Sequence, residues 1–267
     1  MSVDLRAVFS SEQLTRRLAT NLRIGKSVFC YDSVGSTNDV AHRFAKDGAR
    51  SGTIILAEFQ TAGRGRGAKR WTARRGENII ASVILRPNAP LERLTLLPLL
   101  AAVAIAQTIE EEAETRAEIK WPNDVLTSRK KVAGILIETA TQNAIADYVV
   151  LGVGLNVNQT EFPDELLEQA TSLRLETGKT FDLSDVFVAL MKNLDALYAR
   201  FENGNDDAIL QMWRAHCQMF GKRVTFVQNG ERREGVALDI DERGFLKVRI
   251  DCQETLLSQA EIADVRY

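Results

Sequence analysis

A basic, glycine-rich segment lies between two apolar runs of this chain. Residues 60–71 read QTAGRGRGAKRW, and residues 60–76 contain six Lys or Arg residues with no Asp or Glu. The flanking runs, 53–59 and 78–85, have the composition of β-strands. Because glycine lacks a Cβ, such a segment can adopt positive φ and bring backbone N–H groups close to a ligand. The pattern predicts a cationic loop that connects two strands and binds carboxylate or phosphate oxygens.

Taken alone, the loop has three interpretations: an RGG-type RNA contact, a phosphate cradle and a solvated loop. Two Gly-Lys-Ser/Thr triplets, at 25–27 and 178–180, resemble the end of a P-loop. Thr20 and Leu173 stand where that motif requires its first glycine, so Walker-type phosphate binding is disfavoured. The choice among the remaining interpretations needs further motifs.

The composition is that of a soluble globular protein. With 267 residues and 45% hydrophobic content, the chain can bury a substantial core. Its net charge of −2 argues against general nucleic-acid binding, so the basic loop is a local exception. Residues 1–20 do not resemble a secretory signal, and the apolar stretch 94–109 is shorter than the ~20 residues that span a bilayer. We therefore expect a cytoplasmic protein without membrane contact.

Cysteine and histidine are too sparse for several kinds of site. The three cysteines, Cys30, Cys217 and Cys252, form no C-x-x-C pair, and the only histidines are His42 and His216. A structural zinc site and a His-dependent triad are poorly supported. A Cys217 nucleophile is disfavoured because cysteine is more often packed than reactive. We expect no metal site from the protein alone and chemistry that depends on Arg, Lys and backbone groups.

The pattern of residues 1–219 predicts a catalytic α+β domain. Strands are predicted at 27–31, 53–59, 78–85, 118–121, 132–139 and 148–156, with turns at 122–124 and 142–143. Helices are predicted after the N-capping sequence Ser36-Thr37-Asn38-Asp39 and at 91–112, 183–201 and 207–219. Pro98 is expected to kink or split the helix at 91–112. The helices should cover one sheet.

Residues 220–267 show a different pattern and predict a second, all-β domain. Short strands are predicted at 223–227, 234–240, 245–250 and 255–258, with turns at 229–230 and 243–244. A module of this size has little volume for a core of its own. We therefore expect it to dock on the larger domain.

Four separated motifs resemble the biotin protein ligase family. They are Ser36-Thr37-Asn38, the loop 60–71, Lys120-Trp121-Pro122-Asn123-Asp124 followed by Lys131-Val132-Ala133-Gly134-Ile135-Leu136, and Gly152-Val153-Gly154-Leu155-Asn156. The likeness covers residues 31–158, and the terminal β module matches by pattern and position. The resemblance implies a mixed β-sheet covered by helices, of the class II synthetase and biotin/lipoate ligase type, followed by an SH3-like barrel.

The resemblance also implies an ATP-dependent, AMP-forming ligase. Biotin and ATP, with Mg²⁺, would form biotinyl-5′-AMP, and a lysine of a biotin carboxyl carrier protein or domain, in acetyl-CoA carboxylase or a related enzyme, would displace AMP. The reaction brings two anions together and forms a hydrolysable anhydride, so it requires cationic donors and exclusion of water. A homodimer is compatible with the resemblance. Since too little sequence precedes Ser27 for a winged helix of ~60 residues, we expect no DNA binding.

By the resemblance, the site residues fall into two groups. Biotin would be bound by Ser36, Thr37, Asn38, Gln60, Gly63, Arg64, Gly65, Arg66, Lys131, Gly134 and Ile135. ATP would be bound by Arg66, Trp71, Lys120, Asn123, Asp124 and Asn156, with Asp124 as a contact for Mg²⁺. Arg64, Arg66 and Lys131 are the expected catalytic residues. Arg64 would engage the biotin carboxylate, and Arg66 would order the loop and hold the adenylate.

Simpler interpretations stay open for four of these residues. Ser36 and Thr37 could serve only as a helix cap. Trp71 could be a core residue, and Lys131 could be an exposed lysine beside two other basic residues. At Ser36 and Thr37 both roles can hold, because a cap uses one side chain and leaves its neighbour free.

The chain departs from the family pattern in two places. The family loop usually reads Arg-Gly-Arg-x-Gly-Arg, whereas Gly67 and Ala68 follow the second arginine here. Retention of the adenylate is therefore an open question. Arg266 stands where a closing Ser-Leu-Arg pattern is expected, but its neighbours differ, which leaves its role open.

Two other functions remain to be distinguished from biotin ligation. Transfer of lipoate or octanoate would use a similar fold with an elongated apolar pocket, and the Arg-Gly-Arg loop with Gln60 favours biotin. A non-catalytic RNA-binding protein would use the loop as an RGG contact, and its affinity would fall steeply with salt.

Overall fold

A seven-stranded mixed sheet forms the centre of the protein. A computed structural model describes residues 8–18, 22–67, 69–142, 145–228, 230–259 and 262–267. The strands are β1 (Ser27–Tyr31), β2 (Thr53–Ala57), β3 (Asn78–Leu85), β4 (Glu118–Lys120), β5 (Asp124–Thr127), β6 (Lys130–Gln142) and β7 (Ile145–Asn156). Their order across the sheet is β1-β2-β3-β7-β6-β5-β4. Strands β1 and β2 pair in parallel, and the other neighbouring strands of this sheet pair antiparallel. This confirms the predicted mixed sheet.

Helices lie on both faces of this sheet. They are α1 (Ser11–Leu18), α2 (Thr37–Lys46), α3 (Leu97–Ala113), α4 (Leu173–Thr177), α5 (Leu183–Glu202) and α6 (Asp206–His216), with 3₁₀ turns at Leu91–Leu96 and Asp164–Leu166. Pro98 lies in the first turn of α3, where its missing N–H costs no intrahelical hydrogen bond. The helix predicted at 91–112 is therefore split into a 3₁₀ turn and an α-helix.

The two faces of the sheet are covered unequally. Residues that alternate along β6 and β7, such as Ile135 and Val153, pack into one large core with α3, α5 and α6. On the opposite face, Val40 and Ala41 of α2 pack against Tyr148 and other apolar side chains of the sheet. Helix α2 covers only part of this second face, and the remainder is available for a site.

Within the part of the chain that the structure describes, one helical stretch, Leu91–Ala113, is long and apolar enough to cross a membrane. It includes α3, and 78% of its most apolar window is buried inside the protein. Its apolar composition is accounted for by packing between the sheet, α5 and α6.

Five further strands form an antiparallel sheet at the C-terminal end of the chain. They are β8 (Arg223–Gln228), β9 (Glu231–Ile240), β10 (Leu246–Ile250), β11 (Gln253–Leu257) and β12 (Ile262–Arg266), in the order β11-β10-β9-β8-β12. The arrangement is consistent with an SH3-like barrel. Val224, Phe226 and Ala237 belong to the same buried core as α3 and α6, so the module is docked.

Several predicted boundaries were wrong, and the errors have physical reasons. The sequence pattern did not predict α1, α4, β5 and β12, which are short and are stabilised by packing and pairing more than by their own pattern. Asp124 was assigned to a turn but begins β5. Asn143 and Asn229, both in predicted turns, lie outside the described residues.

Ser36 occupies the N-cap position of α2, but its side chain makes no capping hydrogen bond. The backbone N–H of Thr37 at the helix start donates instead to Gln60 Oε1 at 2.7 Å. The predicted side-chain cap at Ser36 is therefore wrong, because a residue of the loop supplies an acceptor at this helix end.

Trp121 joins the two sheets, and its replacement tests the docking. Its indole is fully buried, and Nε1 donates to Gly244 O at 3.0 Å. Trp213 is equally buried, but its Nε1 has no partner among the described residues. We expect Trp121→Phe to lower the free energy of unfolding by about 1–2 kcal/mol more than Trp213→Phe. Only Trp121→Phe also leaves a buried carbonyl, that of Gly244, without its hydrogen-bond donor. Urea unfolding of both variants measures the difference, and equal losses would contradict this account of the docking.

Candidate active site

The uncovered part of the sheet has a floor of glycines. In the pairing of β6 with β7, Gly134 lies opposite Gly154 and Leu136 lies opposite Gly152. Directly opposed residues share a face, so these three glycines leave the backbone open on the α2 side. A Cβ at Gly152 would lie 2.5 Å from Asn38 Oδ1, and one at Gly154 would lie 2.4 Å from Trp71 Cε2. The glycines thus allow Asn38 and Trp71 to lie directly on the sheet.

A polar cluster closes one end of this floor. Thr37 donates from its backbone N–H and its hydroxyl to Gln60 Oε1, at 2.7 and 3.0 Å. Ser82 Oγ, opposite Gly152 on β3, lies 2.7 Å from Thr37 Oγ1 and 2.6 Å from Asn38 Oδ1. Thr37, Asn38 and Ser82 are buried. The buried Ser36 precedes them, so the predicted residues Ser36, Thr37, Asn38 and Gln60 are brought together.

Arg64 lies above the same floor between two carboxylates. Its Nη1 is 2.7 Å from Asp39 Oδ1, and its Nη2 is 3.1 Å from Glu138 Oε1. Glu138 Oε2 also accepts a hydrogen bond of 2.6 Å from Asn38 Nδ2. Burial lowers the pKa of the Arg64 guanidinium, but Asp39 and Glu138 more than offset it, so the net shift is upward. Arg64 is therefore a fixed cation beside the polar cluster.

Arg66 points in another direction and joins the loop to the C-terminal module. Its Nη2 donates to the backbone carbonyls of Gln259 and Ile262, the latter at 2.7 Å. Burial lowers the pKa of Arg66, and the charge of Asp124 opposes this shift. Because these acceptors are neutral, Arg66 keeps its positive charge available to an anion nearby.

The loop between β2 and β3 folds back on itself. The backbone N–H of Trp71 donates to Gly63 O at 3.1 Å, and that of Gly65 donates to Lys69 O at 2.8 Å. A Cβ at Gly63 would lie 2.4 Å from Trp71 O, so glycine permits this close approach. A cavity of ≈330 Å³ lies beside the loop and is lined by Ala62, Gly63, Arg64, Gly67, Lys69 and Arg70. Ala68, which departs from the family pattern, lies outside the described residues.

Lys131 and Asp124 form the second charged edge of the floor. Lys131 Nζ lies 2.5 Å from Asp124 Oδ1 and 5.8 Å from the centroid of the Trp71 ring. A Cβ at Gly134 would lie 3.1 Å from Lys131 Nζ, so the ammonium lies close to the glycine floor. Lys120 is paired with Asp124 in the β4–β5 register. The structure thus brings these predicted residues to the same edge.

Asn123 and Ile135, two predicted site residues, mainly bind each other and pack within the sheet. Asn123 Nδ2 donates to Ile135 O at 2.6 Å, and the Ile135 N–H donates to Asn123 O at 3.0 Å. The Ile135 side chain belongs to the core on the other face of the sheet, so only its backbone is near the floor. Arg266, at the end of β12, is exposed.

Two buried polar atoms near the floor have no partner among the described residues. They are Oδ1 of Asn156, the last residue of β7, and Nε1 of Trp71. The other amide atom of Asn156, Nδ2, donates to Thr171 O at 3.0 Å, which fixes the side chain. An unpaired buried acceptor and donor are costly unless a ligand or water completes them. Both atoms therefore fit a ligand with its own donors and acceptors.

Sequence reasoning missed three side chains of this site. Glu138 and Ser82 were read as parts of strands, and Asp39 only as a helix-capping residue. The signal available for Ser82 was its position as a polar residue within the apolar run 78–85. Among the described residues, no group of three His, Cys, Asp or Glu side chains could hold a metal. Burial raises the pKa of the Cys217 thiol to about 11, so it is not a thiolate at neutral pH.

The glycine floor predicts a specific effect of Gly154→Ala. The added methyl group would overlap the Trp71 ring, so we expect the indole to move toward solvent. Trp121 and Trp213 are fully buried, and a red shift in fluorescence with stronger acrylamide quenching would therefore report Trp71. Gly35→Ala is the control, because a Cβ there meets nothing within 4 Å. Unchanged emission in Gly154→Ala would show that Trp71 does not lie on this strand.

Comparison with known proteins gives concordant results. Residues 30–156 match the Biotin/lipoate A/B protein ligase family. The bifunctional ligase/repressor BirA of Bacillus subtilis is 36% identical over 225 residues, which cover 84% of this chain and 69% of that protein. The biotin–[acetyl-CoA-carboxylase] ligase of Mycobacterium tuberculosis is 35% identical over 241 residues, covering 87% and 86%. The biotin protein ligase of Aquifex aeolicus in complex with biotin and ATP superposes with a TM-score of 0.77 at 27% identity, covering 90% and 99%. The chain belongs to the biotin/lipoate A/B protein ligase family.

Proposed function

We propose that this protein is an ATP-dependent biotin–[biotin carboxyl-carrier protein] ligase. It activates biotin with ATP to biotinyl-5′-AMP and transfers biotin to a lysine of a carrier domain, as in acetyl-CoA carboxylase. The observation that carries the proposal is the glycine floor with a polar cluster at one end and Arg64 above it. Relatives named as biotin ligases and the likeness to a biotin ligase in complex with biotin and ATP support the same reaction.

Biotin fits the polar end of the floor. Its ureido ring presents one carbonyl acceptor and two N–H donors, and Ser36, Thr37 and Gln60 can both donate and accept hydrogen bonds. The flat floor at Gly152 would accommodate the bicyclic ring. The valerate carboxylate would then reach Arg64, whose guanidinium can bind it by a charge-assisted hydrogen bond.

ATP fits the other end. Asn156 Oδ1 can accept from the adenine amino group, and Trp71 can stack on the base or donate from Nε1. Lys131 would stabilise charge on the carboxylate and α-phosphate. Mg²⁺ would neutralise the phosphates, with Asp124 as the one candidate carboxylate ligand from the predicted site and phosphate oxygens as the others.

The two steps follow from these positions. A carboxylate oxygen of biotin attacks the α-phosphorus, and pyrophosphate leaves. Arg64, Arg66 and Lys131 stabilise the negative charge that accumulates between the two anions. In the second step the neutral amine of the carrier lysine attacks the acyl carbon, AMP leaves, and the nitrogen loses a proton. Arg66 would hold the adenylate between these steps by closing the loop toward the C-terminal module.

Several finer features belong to this proposal. We divide the chain into a catalytic domain of residues 1–219 and a C-terminal domain of residues 220–267, since each contains its own sheet. The net charge of −2 supports the absence of DNA binding. Three cysteines without disulfides support a cytoplasmic location. A homodimer is retained as a proposal.

A substrate-dependent exchange assay tests the function. With ATP and Mg²⁺, we expect biotin to support exchange of labelled pyrophosphate into ATP, because adenylate formation is reversible. Lipoate and octanoate should support little exchange, since the floor is closed by polar side chains. Exchange with lipoate or octanoate alone would favour a lipoate or octanoate ligase, because exchange requires activation of the acid by ATP. Absence of exchange with all three acids, together with salt-sensitive RNA binding, would favour the RNA-binding alternative.

Arg66→Ala should shorten retention of the adenylate. The change removes a charge beside the intermediate and both hydrogen bonds to the C-terminal module. We expect biotinyl-5′-AMP to dissociate roughly tenfold faster or more, because hydrogen bonds to charged groups contribute about 1.5–3 kcal/mol. Stopped-flow release measures the rate. Arg74→Ala is the control. Arg74 lies in the same connection between β2 and β3 as Arg66, but it pairs with the exposed Glu161. Equal release rates in the two variants would refute this role.

A further inference from the structure

Two carboxylates share Arg64, and the protein holds them differently. Glu138 is 29% exposed, accepts from Asn38 Nδ2 at 2.6 Å and faces His42 Nε2 at 3.3 Å. Asp39 is 55% exposed, and the described residues give its carboxylate one ion pair, with Arg64 at 2.7 Å. Glu138 is thus fixed from several sides, whereas Asp39 is fixed through Arg64.

The two terminal nitrogens of the Arg64 guanidinium bind different carboxylates. Arginine binds a carboxylate most strongly when two parallel N–H groups reach its two oxygens. Here Nη1 is directed to Asp39 and Nη2 to Glu138. A carboxylate that arrives from outside can replace Asp39 at Nη1 or Glu138 at Nη2, and one of these internal carboxylates must give way first.

Asp39 can release Arg64 at a lower cost than Glu138. An exposed ion pair contributes little stability, and a freed Asp39 would be hydrated. Asp39 also lies in the first turn of α2, where the positive end of the helix dipole stabilises a negative charge. Release of Glu138 would leave a half-buried carboxylate and disturb Asn38, which lies on Gly152.

We propose that Asp39 takes the place of the substrate carboxylate on Arg64 in the empty enzyme and is displaced when substrate binds. Glu138 stays on Arg64 as a positioning residue. This inference rests on the proposed function, in which Arg64 receives the carboxylate of biotin. Its consequence is that Asp39 competes with biotin and not with a biotin analogue that lacks the carboxylate.

Calorimetric binding of two ligands to Asp39→Asn tests the competition. The ligands are biotin and biotinol, in which a hydroxymethyl group replaces the carboxylate. We expect the Kd for biotin to fall by about two- to fivefold, the range of an exposed ion pair. The Kd for biotinol should stay unchanged. Asp39→Ser serves as a second variant, because serine also removes the carboxylate and its helix propensity is not below that of aspartate.

Asp32→Asn is the matched control. Asp32 is 76% exposed and pairs at 2.5 Å with Arg75, an arginine of the same connection. The Asp32→Asn substitution removes the same charge at a residue that does not contact Arg64. The Kd values for biotin and biotinol should therefore remain those of the wild type.

Three outcomes would overturn the inference: an equal change for both ligands, no change for either, or weaker binding of biotin to both Asp39 variants. The proposed function would still stand if the wild type binds biotin. Wild-type protein that binds neither ligand would overturn the proposed function, and the inference with it.

Discussion

The pairing of Gly134 with Gly154 is the constraint on which the site depends. Side chains alternate along a strand, so a register shift of one residue would turn Ala133 and Leu155 toward the site and the glycines toward the core. The opposite face of the sheet is buried under α3 and α5. Its apolar contacts with these helices would be lost in the same shift. The core on one face therefore specifies the open floor on the other. Asn38 and Trp71 can lie on the sheet because of this pairing.

The cationic loop gains its conformation from residues far away in the chain. Arg64 is held by α2 and β6, and Arg66 by the backbone around β12. Trp71, at the end of the loop, lies against β7. The excess positive charge that the sequence shows within this segment is thus partly compensated by distant carboxylates and carbonyls. A ligand with a carboxylate and a phosphate presents the same chemistry as these internal partners.

The sequence predicted the parts that depend on local pattern. Strands β1 and β3 have the predicted bounds, and the loop connects β2 and β3 as expected. The resemblance to the biotin protein ligase family also brought Thr37, Gln60 and Arg64 into one hypothesis. Glu138 and Asp39 could not be found in this way, because their meeting at Arg64 depends on strand register and on the position of α2. The Ser36 cap failed for a related reason, since Gln60 supplies an acceptor from a distant segment.

A crystal structure of the protein with biotin tests the central claim most directly. We expect the ureido ring to lie between Thr37 and Gln60 over Gly152, with the carboxylate of biotin on Arg64 in the place of Asp39. Biotin bound away from the glycine floor, or in the floor with its carboxylate far from Arg64, would contradict it.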